Sequence, residues 1–422
     1  MNSIIIKELG EYNPQKQFNS ITLNKLKEFI TVPYYINWYR SSESNKIFPI
    51  YAQRISDLNT TKFQVPGILT RNPFFDHAQA KYFIAYSNGA PVGRIMAHID
   101  YNYIKKEESN IGWFGLFESI DDKNIAEMLI EKAMDYLKQN GCQRIIGPAI
   151  FNAAGEIGLL IKGFEYKPYF MEPYNAPYYQ DFFINFGFEK ENDWYSMNTD
   201  ELLADGYMER IEKVINKMQG TNRDLASSGF KIRNASIKNM KSEIKIIKDL
   251  YNEIWNTGNH PQQVVVTDKE FDILAAGISS IAIEDLIFIL EKDGIPVGVS
   301  VSIPDINEVI AEYDKNNPSV PSKSFFNLKD FKRDIKIFNL IQKKVKQKNF
   351  LGLRILILGI KEECRKTGID SMFYYQTFKV GKELGFKHGS GSQLADINTD
   401  ILNPTFKIGK KAFTWRVYGL DL

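Results

Sequence analysis

Residues 82–100 read YFIAYSNGAPVGRIMAHID, and residues 286–305 read LIFILEKDGIPVGVSVSIPD. Each stretch is an apolar run, a tight turn, and a second apolar run entered through Pro-Val-Gly. The turn pairs Asn88-Gly89 and Asp293-Gly294 favour hairpins, because a type I′ turn needs positive φ at both central residues. The two turn glycines lie 205 residues apart. These matching hairpins indicate an internal repeat, although chance similarity between two α/β domains is the alternative.

The elements after each hairpin keep the same order. The apolar stretches at 113–119 and 354–360 predict strands, and each precedes a segment of helical period, about 123–140 and about 368–384. A further strand, a short helix and a last strand follow in both halves. The offset between matching glycines grows from 205 to 244, so the second copy carries 39 extra residues between its third and fourth strands.

Composition narrows the class of protein. A chain of 422 residues is long enough for two or three domains, and 53 Lys+Arg against 51 Asp+Glu leave a net charge of +2. That balance makes a nucleic-acid partner unlikely. Two cysteines and four scattered histidines show no metal-ligand spacing, and no apolar run reaches 18 residues. We expect a cytoplasmic protein without a bound metal.

This order of elements resembles the GNAT superfamily of acyl-CoA-dependent N-acyltransferases, duplicated in tandem from about 30 to 422. The resemblance implies an α/β (α+β) fold with two GNAT-like domains, each a mixed, mainly antiparallel sheet flanked by helices. We place the first domain at 1–205, a helical connector at 206–224 and the second domain at 225–422. The second domain holds a basic amphipathic insertion at about 311–350.

In that superfamily the fourth strand splays from the fifth, and acyl-CoA lies in the gap with its diphosphate on a Gln/Arg-x-x-Gly-x-Gly/Ala loop. The orphan N–H groups of a helix start hold such a diphosphate. In the second half Arg365 and Gly368 match this pattern, whereas Asp370 stands where Gly or Ala is expected. A helix cap is the alternative interpretation of this loop. The resemblance implies the following donor-binding residues: Gly359, Ile360, Arg365, Lys366, Thr367, Gly368, Ile369, Asp370, Ser371 and Asn398.

The first half lacks this loop. Asp121 and Asp122 stand at the start of its helix, where they satisfy the helix dipole and would repel a diphosphate. We therefore expect the first half to be degenerate for CoA and to supply wall and substrate contacts. The general-acid tyrosine of the superfamily is also missing, since its position holds Phe183 in the first half and Thr405 in the second.

The segment 147–188 is rich in both aromatic and polar residues. It resembles an uncharacterised bacterial subfamily of tandem acyltransferases, some of which are implicated in acylating long-chain amines, as bacterial ceramide synthases do. Pockets combine apolar walls with a few polar groups, although tyrosines that pack with satisfied hydroxyls are the alternative. The candidate substrate-binding residues are Asn152, Tyr174, Asn175, Tyr178 and Asn307.

Three carboxylates are the candidate catalytic bases. Glu118 and Glu156 belong to the first half, and an aromatic environment raises the pKa of a carboxyl group, which suits proton abstraction from an ammonium. Asp305 follows the second hairpin and faces the same expected gap. The alternatives are a solvated strand-end carboxylate for Glu118 and an Asx turn after Pro304 for Asp305 and Asn307.

Residues 323–348 hold nine Lys/Arg against two Asp, with phenylalanines and aliphatic residues between them. Such a segment can lie in an anionic membrane interface. One alternative is a helix whose basic face is solvated, and the other is a segment that contacts nucleic acid.

We therefore expect an acyl-CoA-dependent N-acyltransferase in which a small-molecule or lipid amine attacks the thioester directly. A backbone N–H near Gly359–Ile360 would stabilise the oxyanion. A catalytically inactive binding module is one rival function. The other is an acyltransferase that takes its acyl group from acyl carrier protein or aminoacyl-tRNA.

Overall fold

The computed structural model describes residues 4–65, 69–199, 206, 208–209, 212–213, 229–236, 239–256, 260–365 and 368–422. Most of the expected connector at 206–224 lies outside the described residues.

The described strands of the first half are β1 (Ile4–Asn13), β2 (Phe18–Asn19), β3 (Ala78–Ser87), β4 (Ala90–Asp100), β5 (Ile111–Ser119), β6 (Arg144–Gly147), β7 (Leu159–Lys162) and β8 (Glu189–Thr199). Those of the second half are β9 (Phe230–Asn234), β10 (Ile287–Lys292), β11 (Ile295–Pro304), β12 (Gly352–Ile360), β13 (His388–Ala395) and β14 (Lys410–Asp421).

The described helices of the first half are α1 (Leu23–Thr31), α2 (Tyr51–Leu58), α3 (Tyr101–Glu107), α4 (Lys123–Gln139) and α5 (Tyr179–Phe186). Those of the second half are α6 (Met240–Trp255), α7 (Asp268–Ser279), α8 (Asn307–Asn316), α9 (Leu328–Gln347), α10 (Ser371–Glu383) and α11 (Thr399–Ile408). In the described part of the chain, no helix is both long and apolar enough to cross a membrane.

Both hairpins form as the sequence predicts. The turn residues have positive φ, +50° and +79° at Asn88 and Gly89, and +51° and +81° at Asp293 and Gly294. Each half also begins with a strand that the sequence reading leaves out, since β1 pairs with β3 and β9 pairs with β10. The fold class is therefore confirmed, with each half a mainly antiparallel sheet in which the fourth and fifth strands run parallel.

The two half-sheets join into one. Its order is β2-β1-β3-β4-β5-β6-β14-β8-β13-β12-β11-β10-β9, and β7 pairs with β14. The last strands are exchanged: β14 of the second half lies between β6 and β8 of the first, and β8 in turn pairs with β13 of the second. Each half therefore needs the other to complete its sheet.

With β9 counted, β11 and β12 are the third and fourth strands of the second half, and the extra residues between them form α8 and α9. The first half has only the short helix α3 at the matching place. Helix α9 begins at Asn327, whose side chain accepts hydrogen bonds from the backbone N–H groups of Lys329 and Asp330. Ile337 and Ile341 pack into the core of the second half, so the insertion is part of the folded body.

Candidate active site

A cleft opens in the second half where β12 and β13 part. Their parallel pairing runs from Gly352–His388 to Ile355–Gly391 and then stops. Beyond that point β12 continues along β11 with a bulge at Leu356, and β13 continues along β8. The diverging segments 354–358 and 391–395 form two walls of the cleft. The gap implied between the fourth and fifth strands is therefore present in the second half.

The cleft combines apolar and aromatic walls with several polar side chains. The rings of Tyr251 and Trp255 stack at a centroid distance of 4.9 Å along one side. Such a lining suits an elongated apolar ligand held by a few polar groups. The other apolar lining residues are Leu274, Ile355, Leu356, Ile357, Leu358 and Ile401.

The first half supplies part of this cleft. Residues 153–155, Met171 and Trp194 line it. The segment from 147 to 188 is held there by contacts such as the hydrogen bond from Gln393 Nε2 to the Ile157 carbonyl, 2.7 Å. The indole N–H of Trp194 is buried and has no hydrogen-bond partner in the described structure.

The corresponding gap of the first half is closed. The backbone N–H of Ala149 donates to the Phe114 carbonyl over 3.0 Å, beyond the last paired residues of β5 and β6. A Cβ on Gly115 would lie only 1.9 Å from the Ala149 carbonyl oxygen. The chain after β6 therefore fills the space that is open in the second half.

Tyr374, which the sequence reading missed, lines the cleft. Its hydroxyl lies 2.9 Å from Thr405 Oγ1, and the Thr405 hydroxyl donates to the Ile401 carbonyl. The Tyr374 hydroxyl is thus the donor to Thr405. Burial raises the pKa of Tyr374, so its hydroxyl is protonated at neutral pH. A tyrosine on helix α10 thereby brings its hydroxyl beside the position where the superfamily's general acid is missing.

His260 is a second cleft residue without an assigned role in the sequence reading. Burial, with smaller contributions from Arg365 and Lys106, lowers the pKa of His260 to about 4. The imidazole is therefore neutral at pH 7 and can accept a hydrogen bond. Asn398 also lines the cleft, close to its expected place, and its role in donor binding stays a prediction.

The expected diphosphate loop is partly described. Lys366 and Thr367 lie outside the described residues. Gly368 adopts φ +76°, and the backbone N–H groups of Ser371 and Met372 donate to the carbonyls of Gly368 and Ile369, 3.2 and 3.1 Å away. These N–H groups are turned toward the loop itself.

The described part of this loop carries two charged residues, Arg365 and Asp370. Burial raises the pKa of Asp370, and its side chain makes no capping hydrogen bond at the start of α10. A carboxylate at the start of a helix opposes a diphosphate there by charge repulsion. Arg365 Nε donates to the Ile360 carbonyl at 3.4 Å. Gly359 packs against the Trp255 ring, and neither Gly359 nor Ile360 is among the cleft-lining residues.

The three candidate bases lie away from the cleft lining. Glu118 is buried and receives hydrogen bonds from the Tyr39 and Tyr179 hydroxyls. Lys46 Nζ and Arg94 Nη2 also contact Glu118, at 3.3 and 3.5 Å. These four partners satisfy its charge within the first half.

Glu156 and Asp305 are also held by partners. Glu156 pairs with Arg54 at 2.5 Å, one residue beyond the cleft-lining Gly155. Asp305 accepts the backbone N–H groups of Phe170 and Asn307 at 3.0 and 3.2 Å, and burial raises its pKa to about 7. The second of these bonds is the Asx turn that the sequence left as an alternative.

The five candidate substrate-binding side chains make internal hydrogen bonds. Tyr174 donates to the Phe164 carbonyl, and Tyr178 to the Ser119 carbonyl, both over 2.9 Å. The Asn175 side chain accepts a hydrogen bond from the backbone N–H of Leu160 and donates one to the Leu160 carbonyl. Asn307 Nδ2 donates to the Pro168 carbonyl. Asn152 Nδ2 donates to the Asp100 carboxylate, and Asn152 Oδ1 accepts a hydrogen bond from the backbone N–H of Ala154. The structure does not bring these five side chains together in one site, and any contact with substrate stays a prediction.

Among the described residues, no cluster of His, Cys, Asp and Glu side chains could hold a metal ion. The cleft therefore offers hydroxyl, imidazole, guanidinium, amide and backbone groups beside apolar walls. Such an arrangement can bind an acyl chain and move protons.

The comparisons with known proteins agree with this geometry. The family model of the GNAT acetyltransferases matches residues 45–154. The fold is that of a tandem GNAT protein from the clavulanic acid biosynthesis pathway, with a TM-score of 0.50 at 8% identity, covering 99% of this chain and 98% of that one. The glucosamine N-acetyltransferase region of a fungal β-N-acetylglucosaminidase matches with a TM-score of 0.51 at 10% identity, over 100% of this chain and 38% of that one. Residues 45–154 therefore match the GNAT family, and the chain as a whole has the fold of tandem GNAT proteins.

Two curated proteins are similar in sequence. The chain is 26% identical over 403 residues to the bacterial ceramide synthase of Caulobacter vibrioides, covering 93% of this chain and 94% of that protein. It is 29% identical over 294 residues to protein YghO of Escherichia coli strain K12, covering 68% of each chain.

Proposed function

We propose that the protein transfers an acyl group from a CoA thioester to a primary amine by direct attack. The observation that carries this proposal is the cleft between the parting strands β12 and β13, with its apolar walls and the Tyr374 hydroxyl. In this assignment pantetheine lies along 354–358, and the acyl chain packs against Tyr251 and Trp255. The diphosphate lies at the loop from Arg365 to Ser371.

The proposed chemistry uses groups of the cleft. The amine nitrogen attacks the thioester carbonyl carbon, and collapse of the tetrahedral intermediate breaks the C–S bond. The Tyr374 hydroxyl turns its proton from Thr405 to the leaving thiolate and is reprotonated from water, and the amine proton passes to water. A β-bulge leaves backbone groups outside the ladder, so we place the oxyanion donor at Leu356 rather than at Gly359–Ile360.

The acceptor that we favour is a long-chain lipid amine. The support is the aromatic cleft and the nearly full-length similarity to a protein named bacterial ceramide synthase. A bilayer would present such an amine, and peripheral contact with a membrane through 323–348 would suit it.

Calorimetric titration with acetyl-CoA and palmitoyl-CoA tests the donor. We expect Arg365→Ala with Gly368→Glu to weaken binding at least tenfold, because the pair removes a cation and adds a carboxylate at the helix start. The matched control is Lys123→Ala with Asn124→Glu, at the start of α4 in the first half. The tighter ligand would indicate the preferred acyl length.

Mass spectrometry of a reaction with dodecylamine then tests transfer. Folded protein that binds neither donor would overturn the proposal in favour of an inactive binding module. Equal losses of binding in the two paired variants would contradict the assignment of the donor to the second half.

Asp370 favours a second candidate donor. Its carboxylate stands at the start of α10, and this negative charge disfavours the diphosphate of CoA more than the single phosphate of a carrier-protein-linked pantetheine. We expect Asp370→Asn to strengthen CoA binding about tenfold, through one removed charge repulsion. Asp400→Asn, a nearby exposed carboxylate at the start of α11, is the control. Faster transfer from acyl carrier protein than from acyl-CoA in the unaltered protein would favour the carrier-protein donor.

A further inference from the structure

Helix α9 turns charged side chains inward. Lys27 Nζ lies 3.0 Å from Asp330 in a pair that is almost fully buried. Arg333 is buried and pairs with Asp314 at 2.6 Å. The Asp334 carboxylate accepts the first backbone N–H groups of α2, at distances of 3.2 and 2.9 Å. These bonds fix the rotation of α9 about its own axis, because breaking them would leave buried charges unpaired.

The outward face of α9 carries apolar side chains. Leu328 is 78% exposed, Ile335 52% and Phe338 46%, and Phe326 just before the helix is 73% exposed. Spacings of seven and ten residues place Leu328, Ile335 and Phe338 along one side of the helix. A 20-residue helix is about 30 Å long, so the apolar side chains form a straight stripe over half of that length.

A row of lysines runs beside this stripe. Lys329, Lys332, Lys336 and Lys343 are exposed, and they recur at helical spacing on the adjacent side of the same face. Residues 323–348 carry nine basic against two acidic side chains, and both acids, Asp330 and Asp334, are buried. The outer surface of this segment therefore carries a higher net positive charge than the sequence alone indicates.

We propose that this face of α9, with Phe326, docks the protein on the surface of an anionic bilayer. The apolar stripe would enter the interface while the lysines meet anionic headgroups, and each contribution is favourable there. A merely solvated basic face would not expose three large apolar residues in line. The inference deepens the lipid-acceptor part of the proposed function, but binding alone tests it.

Sedimentation with vesicles tests the docking face. We expect the protein to bind vesicles of phosphatidylcholine with 30% phosphatidylglycerol and not vesicles of phosphatidylcholine alone. Lys332→Glu with Lys336→Glu should weaken binding at least tenfold by reversing two charges near the surface. Ile335→Ser with Phe338→Ser should weaken it about tenfold by removing buried apolar area. All variants change exposed residues, so thermal unfolding should remain that of the unaltered protein.

Matched controls place the same changes elsewhere. Lys132→Glu with Lys138→Glu reverses two exposed charges of α4, and Ile295→Ser removes an apolar side chain that is 63% exposed. These controls should bind as the unaltered protein does. No binding to anionic vesicles, equal losses in the controls, or capture of acidic carrier protein instead of vesicles would overturn the proposal. Because the vesicle assay contains no acyl donor, a loss of vesicle binding can be distinguished from a loss of acyl transfer.

Discussion

Thr405 stands where the GNAT resemblance implies a tyrosine, and the Tyr374 hydroxyl lies 2.9 Å from it. The sequence showed that the tyrosine is missing but not that another tyrosine hydroxyl lies beside its position. Tyr374 belongs to α10 and Thr405 to α11, and no spacing along the chain relates them. Their contact depends on how the two helices pack beside the cleft.

This geometry predicts a specific kinetic effect of Tyr374→Phe. We expect kcat to fall about 100-fold, because the thiolate would leave without a positioned proton donor, while the donor KM changes less than about threefold. Steady-state assays with palmitoyl-CoA and dodecylamine measure both.

Tyr251→Phe is the control, since that hydroxyl faces the same cleft and accepts a hydrogen bond from Gln263. It should retain most of its kcat. Equal kcat values for both variants, with folding unchanged, would remove Tyr374 from the mechanism.

The three carboxylates predicted as bases also show that sequence position alone does not predict which side chains a residue contacts. Residue type and position indicated that Glu118, Glu156 and Asp305 could be bases. In the fold, Glu118 meets two cations and two tyrosines, and Asp305 accepts two backbone N–H groups. Whether a side chain faces a cleft depends on neighbours that are distant in sequence.

At the scale of elements, the sequence predicted the hairpins, the fourth strands and the helices after them. The bulges at Leu116 and Leu356 were not visible in the sequence, because each apolar strand continues through them. Helix α9 was predicted as amphipathic, but its buried face turned out to hold Asp330, Arg333 and Asp334. A local pattern could not indicate this, since their partners lie mainly in other elements.

The buried pair of Lys27 and Asp330 predicts a stability effect. Asp330→Asn should lower the apparent free energy of unfolding by about 3 kcal/mol, because it removes the carboxylate that is paired directly with the buried Lys27 ammonium. Urea denaturation measures the change. Lys27→Met with Asp330→Leu should recover most of it.

The exposed pair of Lys123 and Glu127 is the matched control, with side chains 58% and 32% exposed. Glu127→Gln should cost less than about 1 kcal/mol. If Asp330→Asn cost no more than that, the pair would not anchor α9.

At the scale of the whole molecule, His77 links the two halves. Its ring nitrogens lie 3.0 Å from Asp100 of the first half and 3.3 Å from Glu270 of the second. Burial opposes the charged imidazole, but both carboxylates offset this and raise the pKa of His77 to about 10.

This link predicts a pH dependence of stability. The folded pKa lies above the unfolded value of about 6.5, so the stabilisation is fully present below about pH 6.5 and lost as pH rises through about 10. We expect the loss to be on the order of 2 kcal/mol, and His77→Gln should abolish it. Urea denaturation at pH 6.5, 8 and 10.5 measures the difference between the two proteins.

His260→Gln is the control, because burial lowers the pKa of His260 to about 4. That substitution should leave the slope between pH 6.5 and 10.5 unchanged. A His77→Gln protein with an unaltered slope would contradict the link between the halves.

The sequence by itself determined the duplication, the order of elements in each half and the fold class. Turn chemistry and hydrophobic period are local properties, so they can be read along the chain. The sequence also indicated that the donor site lies in the second half, and this location stays a proposal.

Only the tertiary structure decided which strands complete which half, since β8 and β14 pair across the repeat. It likewise decided which side chains meet in the cleft and which face of α9 stays outside. These outcomes depend on hydrogen bonds and ion pairs between residues far apart in sequence, and no local pattern encodes them.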